Sequence, residues 1–263
     1  AFIPDYQFSI PVYTYAASVH GLRFYSVSHD MLQMCGNVFN RMKYVGVRDN
    51  CSEQFVKVCS EKAKTIHCCD PTLFIDKNTI YNNGVNVRNK LEKRYKFSLD
   101  SQYIVVMAPN NNMIKEISRR YGNEIVSVFV KSAYSDYYIS DLNPFEWAVV
   151  LKQAAMVITS YFHGTLLSLV QGTPTIVLDY SGYCDEQYEG KLKDLMVTRF
   201  ELSELYYDKN EAENFVGDND FYSKVDTLLS GGYEKRISDA VKRESETFNN
   251  FIKLLGVADD QKK

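Results

Sequence analysis

The chain has 263 residues, a formal net charge of -3, and a composition that is 45% hydrophobic and 24% charged. This is an ordinary globular composition, with enough chain for one large domain or two modest ones. The slight negative charge argues against a general nucleic-acid binder, which needs a clustered basic surface. No apolar run reaches the roughly 18 to 20 residues of a membrane span, and no signal segment opens the chain, so we expect a soluble, cytoplasmic protein.

The part of the chain before residue 98 predicts alternating strands and helices. Strands are expected over residues 12–18, within 41–50 and over 65–76, and helices over 31–40 and 52–60. The second strand delivers Arg48 at its carboxyl end, and the third is broken at Asp70-Pro71 because proline removes a ladder donor. Alternation of this kind is typical of a parallel sheet. From Thr79 to Leu99 the hydrophobic pattern fades, which predicts a linker or a surface helix.

A second series of elements starts at residue 103. Strands are expected over residues 103–109, 125–131, 156–159 and 175–180, and helices over 143–154, 164–172 and 232–255. The helix at 143–154 has a clear start, because Asn143 can cap it, Pro144 suits its first turn and Glu146 completes a capping box. We therefore predict an α/β protein with two units, residues 1–97 and residues 98–263.

The cysteines and the short His-Cys cluster give no sign of a metal site. A chain of this size does not need disulfide staples, so we expect its six cysteines to be reduced thiols. His67, Cys68, Cys69 and Asp70 resemble a ligand cluster. Adjacent residues of a strand point to opposite faces, however, and no second Cys/His pair completes the set. We expect no metal.

The segment ITSYFHGTLLSLVQGTPTIVLDY places His163 where an apolar strand passes into an apolar helix. Ser160 and His163 then lie at the carboxyl edge of a parallel sheet, where open α/β sheets bind ligands. The N–H groups of Gly164, Thr165 and Leu166 would form an anion cradle at the positive end of the helix dipole.

His163 itself admits two interpretations. Its reference pKa of about 6.5 lets the side chain act as a proton donor or a cation beside a bound anion. Alternatively, it is an ordinary capping or buried histidine, and its position alone does not separate the two.

This segment resembles the most characteristic part of the polysaccharide pyruvyl transferase family, in which FHG or FHA opens a helix that ends in G-x-P. Four further blocks follow the family in order: TYAAS, YVGVRDN, CDPTLFID and NPFEWAVVLKQAAMVITS. The resemblance implies two Rossmann-like units facing each other across a cleft, as in B-type glycosyltransferases. It also implies that the beginning of the N-terminal unit is missing from this sequence.

The family transfers a carboxyvinyl group from phosphoenolpyruvate to two hydroxyls of a sugar, forming a ketal and releasing phosphate. The implied partners are phosphoenolpyruvate and a glycan or lipid-linked sugar, with peripheral membrane association through the acceptor and no separate cofactor. His163 matches the family's donor-phosphate position. Arg48 matches a strand-end arginine that could hold a carboxylate or phosphate bidentately. The alternative for Arg48 is a structural ion pair with Asp49 or another acid.

The sequence also departs from the family. Many members carry arginine where this chain has Tyr161, and several carry proline-lysine where it has Gly182-Tyr183. Lys191 could replace the missing cation, although a solvated surface lysine is the alternative.

The general acid is not singled out by spacing. Asp185, Glu186 and Glu189 follow the last strand of the series, and Asp179 stands at its end as a further candidate for the substrate site. Asp70 is expected to cap a turn with Pro71.

Two other functions stay open at this point. One is a sugar-nucleotide-dependent glycosyltransferase, in which the same helix start would hold a diphosphate. The other is a catalytically degenerate glycan-binding protein. NAD and ATP are not expected, because the chain has neither a glycine-rich dinucleotide fingerprint nor a P-loop.

Overall fold

A computed structural model describes residues 10–19, 22–180, 189–214 and 219–256 of the chain. The chain forms two compact units. The first unit comprises Ala1–Pro71, Ser181–Arg199 and Lys242–Lys263, and the second comprises Thr72–Tyr180 and Phe200–Val241. Parallel strands alternate with helices in both. The predicted α/β class is confirmed.

The first unit is built on a parallel sheet with the order β1-β2-β3. Its first elements are β1 (Tyr13–Ala17), α1 (His29–Phe39), β2 (Tyr44–Val47), α2 (Asn50–Cys59) and β3 (Thr65–His67). The chain then forms most of the second unit and returns to the first with the short helix α7 (Lys191–Lys193). α7 continues as a wider π-helical turn over Asp194–Arg199. One apolar cluster lies between α1 and α2 around Phe55, and a second surrounds Val45 and Val47 of β2. The end of the last helix adds Phe248 and Phe251, which pack edge-on against Tyr15 at ring distances of 5.7 and 5.1 Å.

The second unit is built on a parallel sheet with the order β6-β5-β4-β7-β8-β9. Its elements are α3 (Lys77–Tyr95), β4 (Tyr103–Met107), α4 (Asn111–Tyr121), β5 (Glu124–Val128), β6 (Tyr137–Ile139), α5 (Pro144–Gln153), β7 (Met156–Thr159), α6 (Phe162–Val170), β8 (Thr175–Asp179), β9 (Tyr206–Asp208), α8 (Lys209–Asn214), α9 (Asn219–Leu229) and the first part of α10 (Glu234–Leu255). Every residue of β4, β7 and β8 is buried. Continuous apolar strands of this kind are covered on both faces, as in α/β proteins generally.

The two compact units are assembled from separate stretches of the chain, three in the first and two in the second. The segment that was predicted to be a linker or a surface helix is α3, and its buried Val87 and Leu91 belong to the core of the second sheet together with Phe97. Residues after 241 in α10 group with the first unit. The division into separate domains at 1–97 and 98–263, and the facing arrangement across a cleft, stay predictions.

The cysteines differ in part from the expectation. Cys51 is disulfide-bonded, so the prediction that all six are reduced is wrong at this position. Cys35, Cys59, Cys68 and Cys69 are free thiols. Burial raises the pKa of Cys59 to about 12 and that of Cys68 to about 11, so both stay protonated and unreactive at neutral pH.

None of the helices in the described ranges combines the length and apolar character of a membrane-crossing segment.

Candidate functional site

The strand order of the second sheet reverses beside β4. From β4 the chain passes through α4 to β5 on one side, whereas β7 on the other side leads through α6 to β8. Open α/β sheets bind ligands at the carboxyl ends of strands beside such a reversal. Ser160 joins the two strand ends here, because its N–H and its Oγ both donate to the Met107 carbonyl at 3.0 Å. The predicted edge position of Ser160 is therefore observed.

Helix α6 begins at this edge, two residues earlier than expected. Tyr161 occupies the N-cap, and its carbonyl accepts from the Thr165 N–H at 2.9 Å and from the Thr165 Oγ1 at 3.1 Å. Thr165 thus donates both groups within the helix, so the cradle predicted from Gly164, Thr165 and Leu166 is wrong for Thr165. The first turn of the helix is formed by Phe162, His163 and Gly164, and the positive end of the helix dipole lies there.

Gly164 serves packing at this position. A Cβ added to it would lie 2.8 Å from Thr159 Oγ1, 2.9 Å from Met107 Cε and 3.2 Å from Trp147 Cζ2. The missing side chain therefore faces the sheet and its neighbouring helix. The glycine lets the start of α6 approach the end of β7 closely, which differs from the predicted role of admitting an anion.

His163 is exposed at the second position of α6. Its neighbour Phe162 is buried and packs edge-on against the imidazole, with ring centroids 5.5 Å apart. The alternative of a buried histidine is excluded by this exposure, and the N-cap position belongs to Tyr161. An exposed imidazole on the first turn of a helix can act as a hydrogen-bond donor or a cation toward a bound anion.

The other predicted residues near the last strands are spread over both units. Asp179 ends β8 in the second unit, where it is buried and accepts from the Tyr206 hydroxyl at 3.0 Å. Lys191 opens α7 in the first unit. Glu189, which precedes α7, pairs with Lys193 at 3.1 Å.

Two of the general-acid candidates, Asp185 and Glu186, lie outside the described residues.

Arg48, which is partly buried, forms an ion pair with the buried Asp70 at the carboxyl end of β2. Its guanidinium contacts the Asp70 carboxylate, and the two side chains are 18% and 5% exposed. The structural alternative for Arg48, an ion pair with Asp49 or another acid, is thus observed with Asp70. Asp49 caps α2 by accepting from the Ser52 N–H at 2.8 Å and also accepts from the Ser18 hydroxyl at 2.7 Å. Asp70 was expected to cap a turn, but it is the partner of Arg48 because β2 and β3 are neighbours in the sheet.

A second set of charged side chains in the first unit was not anticipated. Asp194 Oδ2 accepts from Arg199 Nε at 2.7 Å, and Glu244 Oε1 lies 2.8 Å from His67 Nε2 and 3.5 Å from Arg199 Nη1. Arg199 also contacts the His67 ring. We call these four residues the first-unit network. It brings together three separate parts of the chain, around residues 67, 194–199 and 244, so no local pattern could have revealed it.

Asp194 is the most deeply buried member of this network. The residue is 1% exposed, and its Oδ1 has no hydrogen-bond partner among the described residues. Burial raises the pKa of the Asp194 carboxyl above its ordinary value, while Arg199 acts in the opposite direction. The network joins the end of β3, the turn after α7 and α10 within the first unit, and burial of its charges carries a desolvation cost.

A cavity of about 230 Å³ lies at the carboxyl ends of β4 and β8. Asn110 crosses between these strand ends, because its Nδ2 donates to the Tyr180 hydroxyl at 3.2 Å and to the Ala212 carbonyl at 2.7 Å. Glu213 completes a polar lining. Asn110 was not predicted as a site residue, although its place after a buried strand and before a helix was a usable signal.

Comparison with known protein families identifies the chain. The profile of the polysaccharide pyruvyl transferase family matches residues 7–182, which is more than half of the sequence. The chain belongs to this family. The matched region runs from before β1 to just after β8, so it contains Arg48 and the whole of α6, while Lys191 and most of the first-unit network lie beyond it.

Two glycosyltransferase-related structures align with this member of the pyruvyl transferase family. The glycosyltransferase SnogD from Streptomyces nogalater covers 93% of this chain and 85% of its own, with 9% identity and a TM-score of 0.44. Trehalose-6-phosphate synthase OtsA covers 88% of this chain and 64% of its own, with 7% identity and a TM-score of 0.48. A search of curated proteins gave no significant match. Such distant similarities add nothing to the functional argument.

Proposed function

We propose that this protein transfers a pyruvyl group from phosphoenolpyruvate to a sugar of a surface polysaccharide or glycolipid precursor, forming a pyruvate ketal. The observation that carries the proposal is the exposed His163 on the first turn of α6, at the carboxyl edge of β7 beside the reversal of strand order. The family match supports the reaction class.

The chemistry makes a specific demand at this edge. Protonation of the phosphoenolpyruvate methylene produces an oxocarbenium-like centre, and one sugar hydroxyl adds to this carbon while a second displaces the phosphate. The products are the ketal and inorganic phosphate; one hydroxyl proton restores the acid and the other leaves with the phosphate. Negative charge on the departing phosphate grows as the carbon–oxygen bond breaks, so donors fixed in advance at that position lower the barrier.

His163 and the first turn of α6 suit that task. The helix dipole favours an anion at this end, and an imidazolium can donate a hydrogen bond to the leaving oxygen. In this proposal Ser160 keeps the strand ends in register, and Gly164 lets the helix begin close to the sheet. The roles of Asp179 and Lys191 as substrate contacts, the cytoplasmic location and a lipid-linked acceptor at the membrane are parts of the same proposal. Phosphoenolpyruvate is the donor, and no cofactor is included.

Calorimetric titration tests the donor directly. We expect phosphoenolpyruvate and its unreactive saturated analogue 2-phospholactate to bind, because both carry the phosphate and the carboxylate. Uridine and guanosine diphosphate sugars serve as the comparison set, and we expect no binding from them. Binding of a nucleotide sugar without binding of phosphoenolpyruvate would replace this proposal with the glycosyltransferase alternative.

A further inference from the structure

Three aromatic side chains cluster at the carboxyl edge of the second sheet, and one of them, Tyr161, precedes His163 by two residues. Phe129 directly follows β5, and Tyr161 caps α6 after β7. Their ring centroids are 6.4 Å apart at an interplanar angle of 70°. Trp147 of α5 packs against Phe129 at 5.2 Å and 75°. We call Phe129, Trp147 and Tyr161 the aromatic wall.

The wall lies over the strand end at which the sheet order reverses. β5 and β7 flank β4 on opposite sides. Neighbouring strands are about 4.8 Å apart, so the backbones of β5 and β7 are separated by roughly 10 Å. The Phe129 and Tyr161 rings approach more closely than that, which means that they lean toward each other across the end of β4.

The backbone holds both rings in place. The Tyr161 N–H donates to Thr159 Oγ1 at 3.0 Å, and its carbonyl accepts from Thr165. Phe129 has a φ of 63°, in the left-handed region that a residue with a Cβ rarely adopts. Its N–H donates to the Ile139 carbonyl at 3.0 Å, so the sheet fixes this conformation. A residue is kept in such a conformation only where its surroundings determine it strongly.

Tyr161 is partly exposed to solvent. It is 38% exposed, although Phe162 and Gly164 beside it are buried. An aromatic face carries partial negative charge and attracts the slightly positive C–H groups of an apolar surface. A rigid, half-covered ring next to a polar site suits a ligand that has both hydroxyls and a C–H face.

We propose that Tyr161 and Phe129 form the subsite for the acceptor, stacking on the C–H face of a neutral pyranose ring beside His163. The identification of this sugar as the acceptor rests on the proposed function, whereas the binding of a pyranose does not. Phosphoenolpyruvate is small, carries two anionic groups and has no extended C–H face, so a tyrosine ring offers it little. The sugar hydroxyls would then face the first turn of α6, where the donor is proposed to bind.

Trp147 provides a direct readout. It is the sole tryptophan of the chain, and it touches Phe129. Its fluorescence is followed while methyl β-galactoside, methyl β-glucoside and methyl α-mannoside are titrated without phosphoenolpyruvate. We expect a saturable change with at least one of these glycosides.

Three variants distinguish glycoside binding at the aromatic wall from nonspecific binding to any exposed tyrosine. Tyr161→Ala is expected to weaken the binding of that glycoside about tenfold, corresponding to the upper range for an aromatic contact. Tyr161→Phe keeps the ring and should bind within about twofold of wild type. Tyr138→Ala removes an equally exposed tyrosine from β6, at 37%, and should bind normally. Calorimetric binding of phosphoenolpyruvate should be unchanged in all three.

Phe129→Gly is a second test of the subsite, for the case that Tyr161→Ala disturbs the packing of the neighbouring side chains. Glycine suits the left-handed backbone, so this variant should fold while losing glycoside affinity. The proposal is overturned if no glycoside gives a saturable change in fluorescence or if Tyr161→Ala binds the glycoside with wild-type affinity. It is also overturned if Tyr161→Ala lowers the affinity for phosphoenolpyruvate and not that for the glycoside. Failure of phosphoenolpyruvate binding together with normal glycoside binding would reject the proposed function and leave this subsite standing.

Discussion

The side chains at the carboxyl edges of the two sheets differ in burial and in pairing. At the edge of the first sheet, Arg48 and Asp70 are paired, Asp49 is buried as a helix cap, and the first-unit network adds Asp194 and Arg199 in mutual contact. At the edge of the second sheet, His163 and Tyr161 are exposed on the start of a helix.

This contrast in burial and pairing distinguishes residues that stabilise the fold from residues that are exposed to a ligand. A buried charge that already has a buried partner would have to give up that contact to bind a substrate, and its removal leaves the partner unpaired. The His163 imidazole, by contrast, is exposed on the first turn of its helix. We therefore assign structural roles chiefly to the first edge and the chemistry chiefly to the second, and the following predictions test that assignment.

Arg48 gives the largest expected effect on stability. Arg48→Ala leaves Asp70 buried without its cation and should cost about 3 to 5 kcal/mol of unfolding free energy. Denaturant unfolding measures this loss, and Lys57→Ala, which breaks the exposed pair with Glu53, is the control, with an expected cost of under about 1 kcal/mol.

The double variant Arg48→Ala/Asp70→Ala then distinguishes structure from catalysis. If Arg48 acts only through its ion pair, removing both partners restores part of the stability and also the activity. If the double variant recovers stability but not activity, Arg48 contacts the substrate, and the structural role assigned to it here is wrong.

Gly164 should show a smaller but clear effect. In Gly164→Ala the new Cβ meets Thr159 and Met107 below 3.0 Å, so the start of α6 must shift, at a cost of about 1 to 3 kcal/mol. Gly84→Ala in α3 is the matched control, because its Cβ would meet nothing within 4 Å. Helix propensity predicts that this control stabilises by up to about 1 kcal/mol. Equal melting temperatures for the two variants would refute the packing role of Gly164.

Asp194 and Glu53 should shift the pH dependence of stability in opposite directions. Burial raises the folded-state pKa of Asp194. The stability contributed by its protonated carboxyl is therefore fully present below the ordinary carboxyl pKa and is lost as the pH rises through the raised pKa. A hydrogen bond from Lys57 lowers the pKa of Glu53, whose contribution is present at neutral pH and lost as pH falls.

Unfolding between acid and neutral pH measures both effects. Relative to wild type, Asp194→Asn should gain stability as pH rises, and Glu53→Gln should gain as pH falls. Parallel curves for Asp194→Asn and wild type would show that its carboxyl does not titrate differently on folding.

Local sequence signals identified the parts of the fold that local chemistry determines. The capping box of α5 is present as predicted, with the Asn143 side chain accepting from Glu146 N–H at 2.9 Å and Glu146 accepting from Asn143 N–H at 2.9 Å. β7 has the predicted bounds. The position of His163 at a strand-to-helix junction followed from the same kind of pattern.

Elements and contacts that depend on the tertiary fold escaped prediction. β6 and β9 are three-residue strands with adjacent tyrosines and no alternating pattern, and only their pairing in the sheet defines them. Asn110 and the apolar face of α4 offered a usable helix signal that was overlooked. The first-unit network joins residues that are distant in the chain, and Phe129 gained its place beside Tyr161 only through the order of the strands.

The most direct test of the account is phosphate release from phosphoenolpyruvate by wild type and His163→Ala, with methyl glycosides as acceptors and with melting temperatures measured in parallel. Loss of one donor fixed in advance at the leaving group should lower turnover by about 10²- to 10³-fold. The melting temperature should stay the same, because the side chain is exposed. A His163→Ala protein that melts earlier but releases phosphate at the wild-type rate would contradict the account and return His163 to a structural role.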